Sequence, residues 1–319
     1  MKVFITRKIP GPAQEMLKAA GFEVVVNSQD RVLSKDQLKK AVAGFDAVLS
    51  LLSDHIDGEV MDAVGPQLKI IANYAVGFDN IDITAAKERN IFVTNTPGVL
   101  TEAVAEHTFA LLMAAARRIV ESDRFTKEGK YKQWEPFGFL GPQISGKTIG
   151  IIGLGRIGSQ VGQIAFGGFR MKILYYDVKR NSEFEMENQA KLSPIDQILP
   201  QADFVTLHVP LLPETRHLIN ESRLKMMKKT AILVNTSRGP VVDENALVDA
   251  LKNGTIAAAA LDVYENEPNL ADGLISLPNV ILTPHIASAT REAREAMSKT
   301  AAENIIAALT GTRPSSLVY

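Results

Sequence analysis

The sequence predicts an α/β protein of two doubly wound, mostly parallel sheets. Short apolar, β-branched runs alternate with helical segments through the first hundred residues, and a second series of the same kind begins at Gly146. The 319 residues, 46% of them apolar, suit about two domains, each with a sizeable core.

Residues 3–6 read as the first buried strand. Pro12 stands near a helix start, where its missing N–H costs nothing. Residues 23–26 form a second strand, and Ser34 with Gln37 makes a capping box before 38–42. Strands follow at 47–51 and 69–72, a helix at 82–89 and a strand at 91–94. After the Thr96-Pro97-Gly98 interruption, residues 101–128 read as one long helix. The loop-rich passage 129–142 carries the single Trp, Trp134, expected to be packed or at an interface. The second series places strands at 148–152, 172–176, 204–208, 231–235, 255–262 and 280–283, and a closing helix at 290–309. Gly167-Gly168-Phe169-Arg170 looks irregular and is expected to disturb local packing.

The composition narrows the function. A formal net charge of −1 lacks the basic excess of general nucleic-acid binders. No apolar run approaches the roughly 18 residues of a membrane span, and the N-terminus has no secretory h-region. Zero Cys excludes disulfides, thiolate metal sites, iron–sulfur clusters and a cysteine nucleophile. The expectation is a soluble, cytoplasmic enzyme with a small-molecule substrate and no metal, nucleic-acid or membrane partner.

Gly153-Leu154-Gly155-Arg156-Ile157-Gly158 is a G-x-G-x-x-G. Alone the pattern is weak, but here a strand precedes it and a helix, 157–166, follows. The three glycines then serve a tight turn, a close backbone approach to a pyrophosphate, and close helix–strand packing. Arg156 and Ile157 open the helix whose N-terminus faces the phosphates. Asp177 ends the next strand, at about the 20-residue distance expected of the acid that binds the adenosine ribose. The second domain is therefore a Rossmann dinucleotide-binding domain. A carboxylate at 177 repels a 2′-phosphate and favours NAD, although Lys179 and Arg180 nearby leave NADPH as the alternative.

Arg238, Asp262, Glu267 and His285 stand at or beyond the ends of predicted strands in this domain. Carboxyl ends of parallel strands face the ligand crevice. Arg is an always charged fork that can hold a carboxylate and polarise an adjacent carbonyl. His can protonate a carbonyl oxygen as hydride arrives, and a carboxylate beside it favours the protonated ring. Arg238, Glu267 and His285 are the expected catalytic residues.

These stretches resemble the D-isomer-specific 2-hydroxyacid dehydrogenase family, and within it the glyoxylate/hydroxypyruvate reductases. The resemblance rests on 73–82 (NYAVGFDNID), Asn95-Thr96-Pro97-Gly98, the 153–158 fingerprint, Asn235-Thr236-Ser237-Arg238-Gly239, Leu261-Asp262-Val263 with Glu267-Pro268, and Thr283-Pro284-His285-Ile286. It implies a flavodoxin-like substrate-binding domain from residues 1–99 plus 288–319, and an NAD-binding domain from 100–287. It also implies that Val76 and Gly77 offer backbone N–H groups to the substrate carboxylate, with Arg238 and His285 as its other partners. Leu52, with Leu51 and Val99, would line a small pocket, and Thr101 and Asp262 would contact the nicotinamide end. A homodimer is implied, built on the 101–128 segment and the loop after it.

The implied reaction is NAD(P)H-dependent reduction of a small 2-oxoacid to the D-2-hydroxyacid, with glyoxylate or hydroxypyruvate as substrate and the proton coming from His285. Val99, where lactobacillar-type D-lactate dehydrogenases carry a Tyr, argues against that activity, and Glu267 argues against a formate dehydrogenase, which has Gln. The alternatives are a reductase of 2-ketogluconate or a bulkier 2-oxoacid, and an NAD-sensing, corepressor-like binding protein.

Overall fold

In the first hundred residues each short apolar run becomes a strand of one parallel sheet. The computed structural model describes residues 1–319. It places β1 (Lys2–Ile5), β2 (Glu23–Val26), β3 (Ala47–Ser50), β4 (Ile70–Asn73) and β5 (Phe92–Thr94) in the order β2-β1-β3-β4-β5. Strands β3 and β4 are buried at every position, as a parallel sheet covered on both faces requires. The helices between them are α1 (Ala13–Ala19), α2 (Lys35–Ala41), α3 (Gly58–Val64) and α4 (Ile83–Glu88). The Ser34/Gln37 capping box forms at α2, and Asp57 and Asp82 cap α3 and α4. Leu38, Val60, Met61 and Ala86 from these helices pack with Val48, Ile71 and Val93 of the sheet.

The expected single helix over 101–128 is instead two, α5 (Thr101–Ala116) and α6 (Ile119–Lys127). Arg118 breaks it in a left-handed conformation, φ 52°. Its guanidinium is held there by Glu121 at 2.7 Å and lies over the Phe139 ring. The break also separates a buried helix from one with no buried residue, so no common apolar face draws them into line.

The second sheet contains β6 (Thr148–Ile152), β7 (Lys172–Tyr176), β8 (Lys191–Leu192), β9 (Phe204–Leu207), β10 (Ile232–Asn235), β11 (Ala258–Leu261) and β12 (Val280–Leu282). Its order is β12-β11-β10-β9-β6-β7-β8, all parallel. Period-two alternation sends Val205, Leu233, Ala259 and Leu261 into one core and Phe204, Ile232, Val234 and Ala260 into the other. Helices α7 (Arg156–Phe169), α8 (Ser182–Asn188), α9 (Ile195–Ile198), α10 (Glu221–Met226) and α11 (Glu244–Lys252) connect the strands. The strand expected from residue 255 starts only at Ala258, because Gly254 and Thr255 bond back to α11 and finish that helix. Gly167 and Gly168 lie inside α7 rather than disrupting it. Phe169 stacks on Phe109 at 5.5 Å and secures the last turn, and the chain leaves the helix only at Arg170, φ 51°. Trp134 is 77% exposed in the single chain.

The last helix, α12 (Arg291–Leu309), capped by Thr290, packs on α1, β3 and β4. The chain thus divides into two units, Met1–Leu100 with Ser288–Tyr319, and Thr101–Ala287. No helix is long and apolar enough to cross a membrane.

Candidate active site

In the second unit the strand order reverses between β6 and β9, and a doubly wound sheet opens its ligand crevice at such a point. The glycine turn follows β6 there. Gly153 takes φ 97°, and a Cβ on it would lie 2.8 Å from the His208 carbonyl carbon beyond β9. A Cβ on Gly158 would lie 2.0 Å from the Gly153 carbonyl oxygen, so α7 can pack this close only with glycine. Gly155 differs, since a Cβ there would meet no atom of the protein. Arg156 and Ile157 begin α7 immediately beyond it. Asp177, just past β7, accepts from the Leu154 N–H at 2.6 Å and the Lys179 N–H at 3.2 Å. The turn and the acid are therefore one assembly.

His208, beside this turn, was not singled out by the sequence reading. Burial pushes its pKa down to about 3, so the ring is neutral, and its Nε2 is buried without a hydrogen-bond partner. Its place at the end of the strand next to the fingerprint strand was the available signal. The open side of Gly155, the orphaned Nε2 and the anchored Asp177 carboxylate together fit a bound dinucleotide.

Arg238, Asp262 and His285 leave three adjacent strands. The register pairs Asn235 with Leu261 and Leu261 with Leu282, which brings the three exits side by side. Arg238 is half-buried, its Nη1 donating to the Ser237 carbonyl at 2.8 Å, and the Asn235 side chain donates to its carbonyl at 2.9 Å. His285 sits at φ 54°, in the left-handed region that side chains other than glycine seldom adopt. Its N–H donates to the Asp262 carbonyl at 2.9 Å. The Asp262 carboxylate accepts from the Ile286 and Ala287 N–H groups at 2.8 and 2.7 Å and from the Thr283 hydroxyl at 2.6 Å. His107 Nε2, on α5, lies 3.5 Å from the same carboxylate and 3.3 Å from the Thr283 hydroxyl.

Asp262 has no exposed surface. Burial, the largest influence, pushes its pKa up, but the bonds from His107, Thr283 and the two amides together outweigh it and hold the group below 3.8. In this structure its carboxylate clamps the turn that carries His285.

Glu267 accepts from His285 Nδ1 at 2.9 Å through one oxygen and from the Tyr264 N–H at 3.0 Å through the other. Tyr264, its hydroxyl pushed up to about 12 chiefly by burial, stays a neutral donor and reaches the Thr283 carbonyl at 2.8 Å. Buried Glu244 ties down the loop that carries Glu267, accepting from the Glu265 N–H at 2.6 Å and the Ala271 N–H at 3.1 Å. With Nδ1 engaged by Glu267, Nε2 is the His285 nitrogen available to a substrate. Thr101 opens α5 in the same unit and is half-buried.

In the first unit, Val76 and Gly77 follow β4, and Leu52, 37% exposed, follows β3. Two residues whose roles the sequence reading missed fix the Val76-Gly77 turn. Asn95 donates to the Val76 carbonyl at 2.7 Å, and Asn73 to the Gly77 carbonyl at 2.9 Å. Each peptide's N–H points opposite its carbonyl, so anchoring both carbonyls presets the N–H directions at Gly77 and Phe78.

A dinucleotide turn and a histidine–carboxylate pair on one sheet edge define a dinucleotide-dependent dehydrogenase. Residues 109–287 match the family described as D-isomer specific 2-hydroxyacid dehydrogenase, NAD binding domain. The chain is 51% identical to a glyoxylate reductase of Pyrococcus furiosus and 52% identical to one of Pyrococcus horikoshii, covering 99% of this chain and 95% of each relative. Among solved structures, the TT0316 protein of Thermus thermophilus superposes with a TM-score of 0.94 at 43% identity, with both chains fully covered. The chain belongs to the D-isomer specific 2-hydroxyacid dehydrogenase family and is an NAD-dependent oxidoreductase.

Proposed function

We propose that this enzyme reduces glyoxylate, and hydroxypyruvate as a second substrate, to the corresponding 2-hydroxyacids with NADH. The hydrogen-bonded His285–Glu267 pair, on the same carboxyl edge of the sheet as the dinucleotide turn, is the observation that carries this reading. The names of the relatives support the substrate. The reduced nicotinamide, when bound, is the source of hydride for the carbonyl carbon. His285 gives the proton from Nε2 to the carbonyl oxygen. Glu267 holds Nδ1, fixing the ring and leaving Nε2 to face the carbonyl oxygen. Arg238 holds the substrate carboxylate and polarises the carbonyl beside it. Asp262 acts at the nicotinamide end through the segment it clamps. Gly155 and the first amides of α7 receive the pyrophosphate, with Gly153 making the tight turn and Gly158 the close helix packing, Asp177 receives the ribose hydroxyls, and Thr101 the nicotinamide side. The first unit is the substrate-binding domain, with Leu52, Val76 and Gly77 as its binding residues.

The test is NADH and NADPH oxidation against glyoxylate, hydroxypyruvate, pyruvate, 2-ketogluconate and a branched 2-oxoacid. Turnover with NADH should be fastest on the first two, and a clear preference for 2-ketogluconate or the branched acid would overturn the substrate assignment.

A homodimer is part of the same reading. Tyr131, Trp134, Phe137 and Leu140 are 61%, 77%, 84% and 64% exposed within ten residues, an apolar surface that solvent does not favour. Light scattering should give twice the chain mass, and Trp134→Glu with Phe137→Glu should lower it. A monomer at all concentrations would remove the dimer.

A further inference from the structure

The turn beyond Asp177 carries two cations, Lys179 and Arg180, a composition that suits a 2′-phosphate as well as a free ribose. The structure treats Arg180 differently from a solvated surface cation. Its Nε donates to both oxygens of Glu185, at 3.2 and 2.9 Å, and its Nη2 donates to one of them at 2.7 Å. Arg180 is 68% exposed at its side chain, but Glu185 only 12%. Glu185 is itself anchored. The Tyr175 hydroxyl donates to it at 2.8 Å, and that hydroxyl accepts from the Asn181 N–H at 3.0 Å. A freely mobile surface pair contributes little, but a fork held on a fixed carboxylate keeps one geometry.

We propose that Glu185 is a specificity-determining residue: by holding the Arg180 guanidinium it denies the 2′-phosphate of NADP(H) a counter-charge, adding to the repulsion from Asp177. Glu185 acts through the Arg180 guanidinium that it holds, so it is a positioning residue. The inference rests on the dinucleotide reading of this site and deepens it. Two devices then enforce NADH use. Asp177 supplies the repulsive one, and the Tyr175–Glu185–Arg180 chain withholds the attractive one.

The experiment measures binding of 5′-AMP and of adenosine 2′,5′-bisphosphate by calorimetry, with no turnover involved. The unaltered protein should bind 5′-AMP and strongly disfavour the bisphosphate. Arg180→Gln alone should change neither affinity by more than about twofold, because the guanidinium is already engaged. Asp177→Ser removes the repulsion, and adding Glu185→Gln should then tighten the bisphosphate by about tenfold, the value of one charge-assisted hydrogen bond. A further Arg180→Gln should abolish that gain. Glu185→Gln alone should leave NADH-dependent turnover unchanged.

Loss of bisphosphate binding in Arg180→Gln alone would show that Arg180 already serves the phosphate, and would overturn the inference without any variant at Glu185. So would an unchanged bisphosphate affinity in Asp177→Ser with Glu185→Gln when 5′-AMP binds normally, or a gain that survives Arg180→Gln. If the unaltered protein failed to bind 5′-AMP, the dinucleotide reading itself would fall, and this inference with it.

Discussion

Gly239 lies so close to Tyr264 that a Cβ on it would sit 1.9 Å from the Tyr264 carbonyl carbon and oxygen. The chain leaving β10 and the chain leaving β11 are in direct backbone contact, one residue after Arg238 and three before Glu267. The catalytic spacing therefore depends on a missing side chain. Gly239→Ala must push the two segments apart, and overpacking of this kind costs about 1–3 kcal/mol. The expected outcome is a lower urea midpoint with turnover falling more than dinucleotide affinity. Wild-type kcat in a folded Gly239→Ala protein would show that the spacing is not critical.

The two groups that act on the carbonyl should fail in different ways. His285→Ala removes the proton donor and should lower kcat by roughly a hundred- to ten-thousandfold with NADH affinity nearly kept. Arg238→Lys replaces a planar fork by a point charge and should raise KM for the oxoacid while lowering kcat. Stopped-flow reduction separates the two. A normal hydride-transfer rate in His285→Ala would remove it as the acid, and unchanged kinetics in Arg238→Lys would make that residue structural.

The sequence made the dinucleotide turn legible because strand, glycines, helix and acid lie within thirty residues and report local geometry. The placing of Arg238 and His285 at strand exits was legible for a related reason, since parallel strands put their carboxyl ends on one edge. What escaped is held by contacts distant in sequence. Arg118 breaks the 101–128 helix by closing over Phe139, and no propensity signals that. Glu244 reads as a first-turn helix acid, yet its carboxylate serves amides at 265 and 271. His107 faces Thr283 across 176 positions. Strand β8, two residues long, carries too little pattern to be seen.

The Val76-Gly77 turn gives a test confined to the first unit. Asn95→Ala leaves the Val76 carbonyl without its 2.7 Å donor, so the following N–H loses its fixed direction. The loss of one such bond is worth about 1 kcal/mol. KM for the oxoacid should rise severalfold while KM for NADH stays the same. A change in KM for NADH alone would place Asn95 outside substrate binding.

Asp262 supplies the pH-dependent prediction. Its carboxyl titrates near 3.8 when unconstrained and lower in the fold, so the folded state binds its proton more weakly than the unfolded state. A depressed carboxyl contributes its full stabilisation above 3.8 and loses it as pH falls through the folded value. Asp262→Asn replaces one acceptor oxygen with a donor facing either the Ile286 or the Ala287 amide, at a cost on the order of 3 kcal/mol near neutrality. The gap in urea midpoint between wild type and Asp262→Asn should hold down to about pH 4 and then narrow. Because the same clamp keeps His285 at φ 54°, kcat should fall with the midpoint at neutral pH. A gap independent of pH would mean that the charge on Asp262 does not hold the His285 turn.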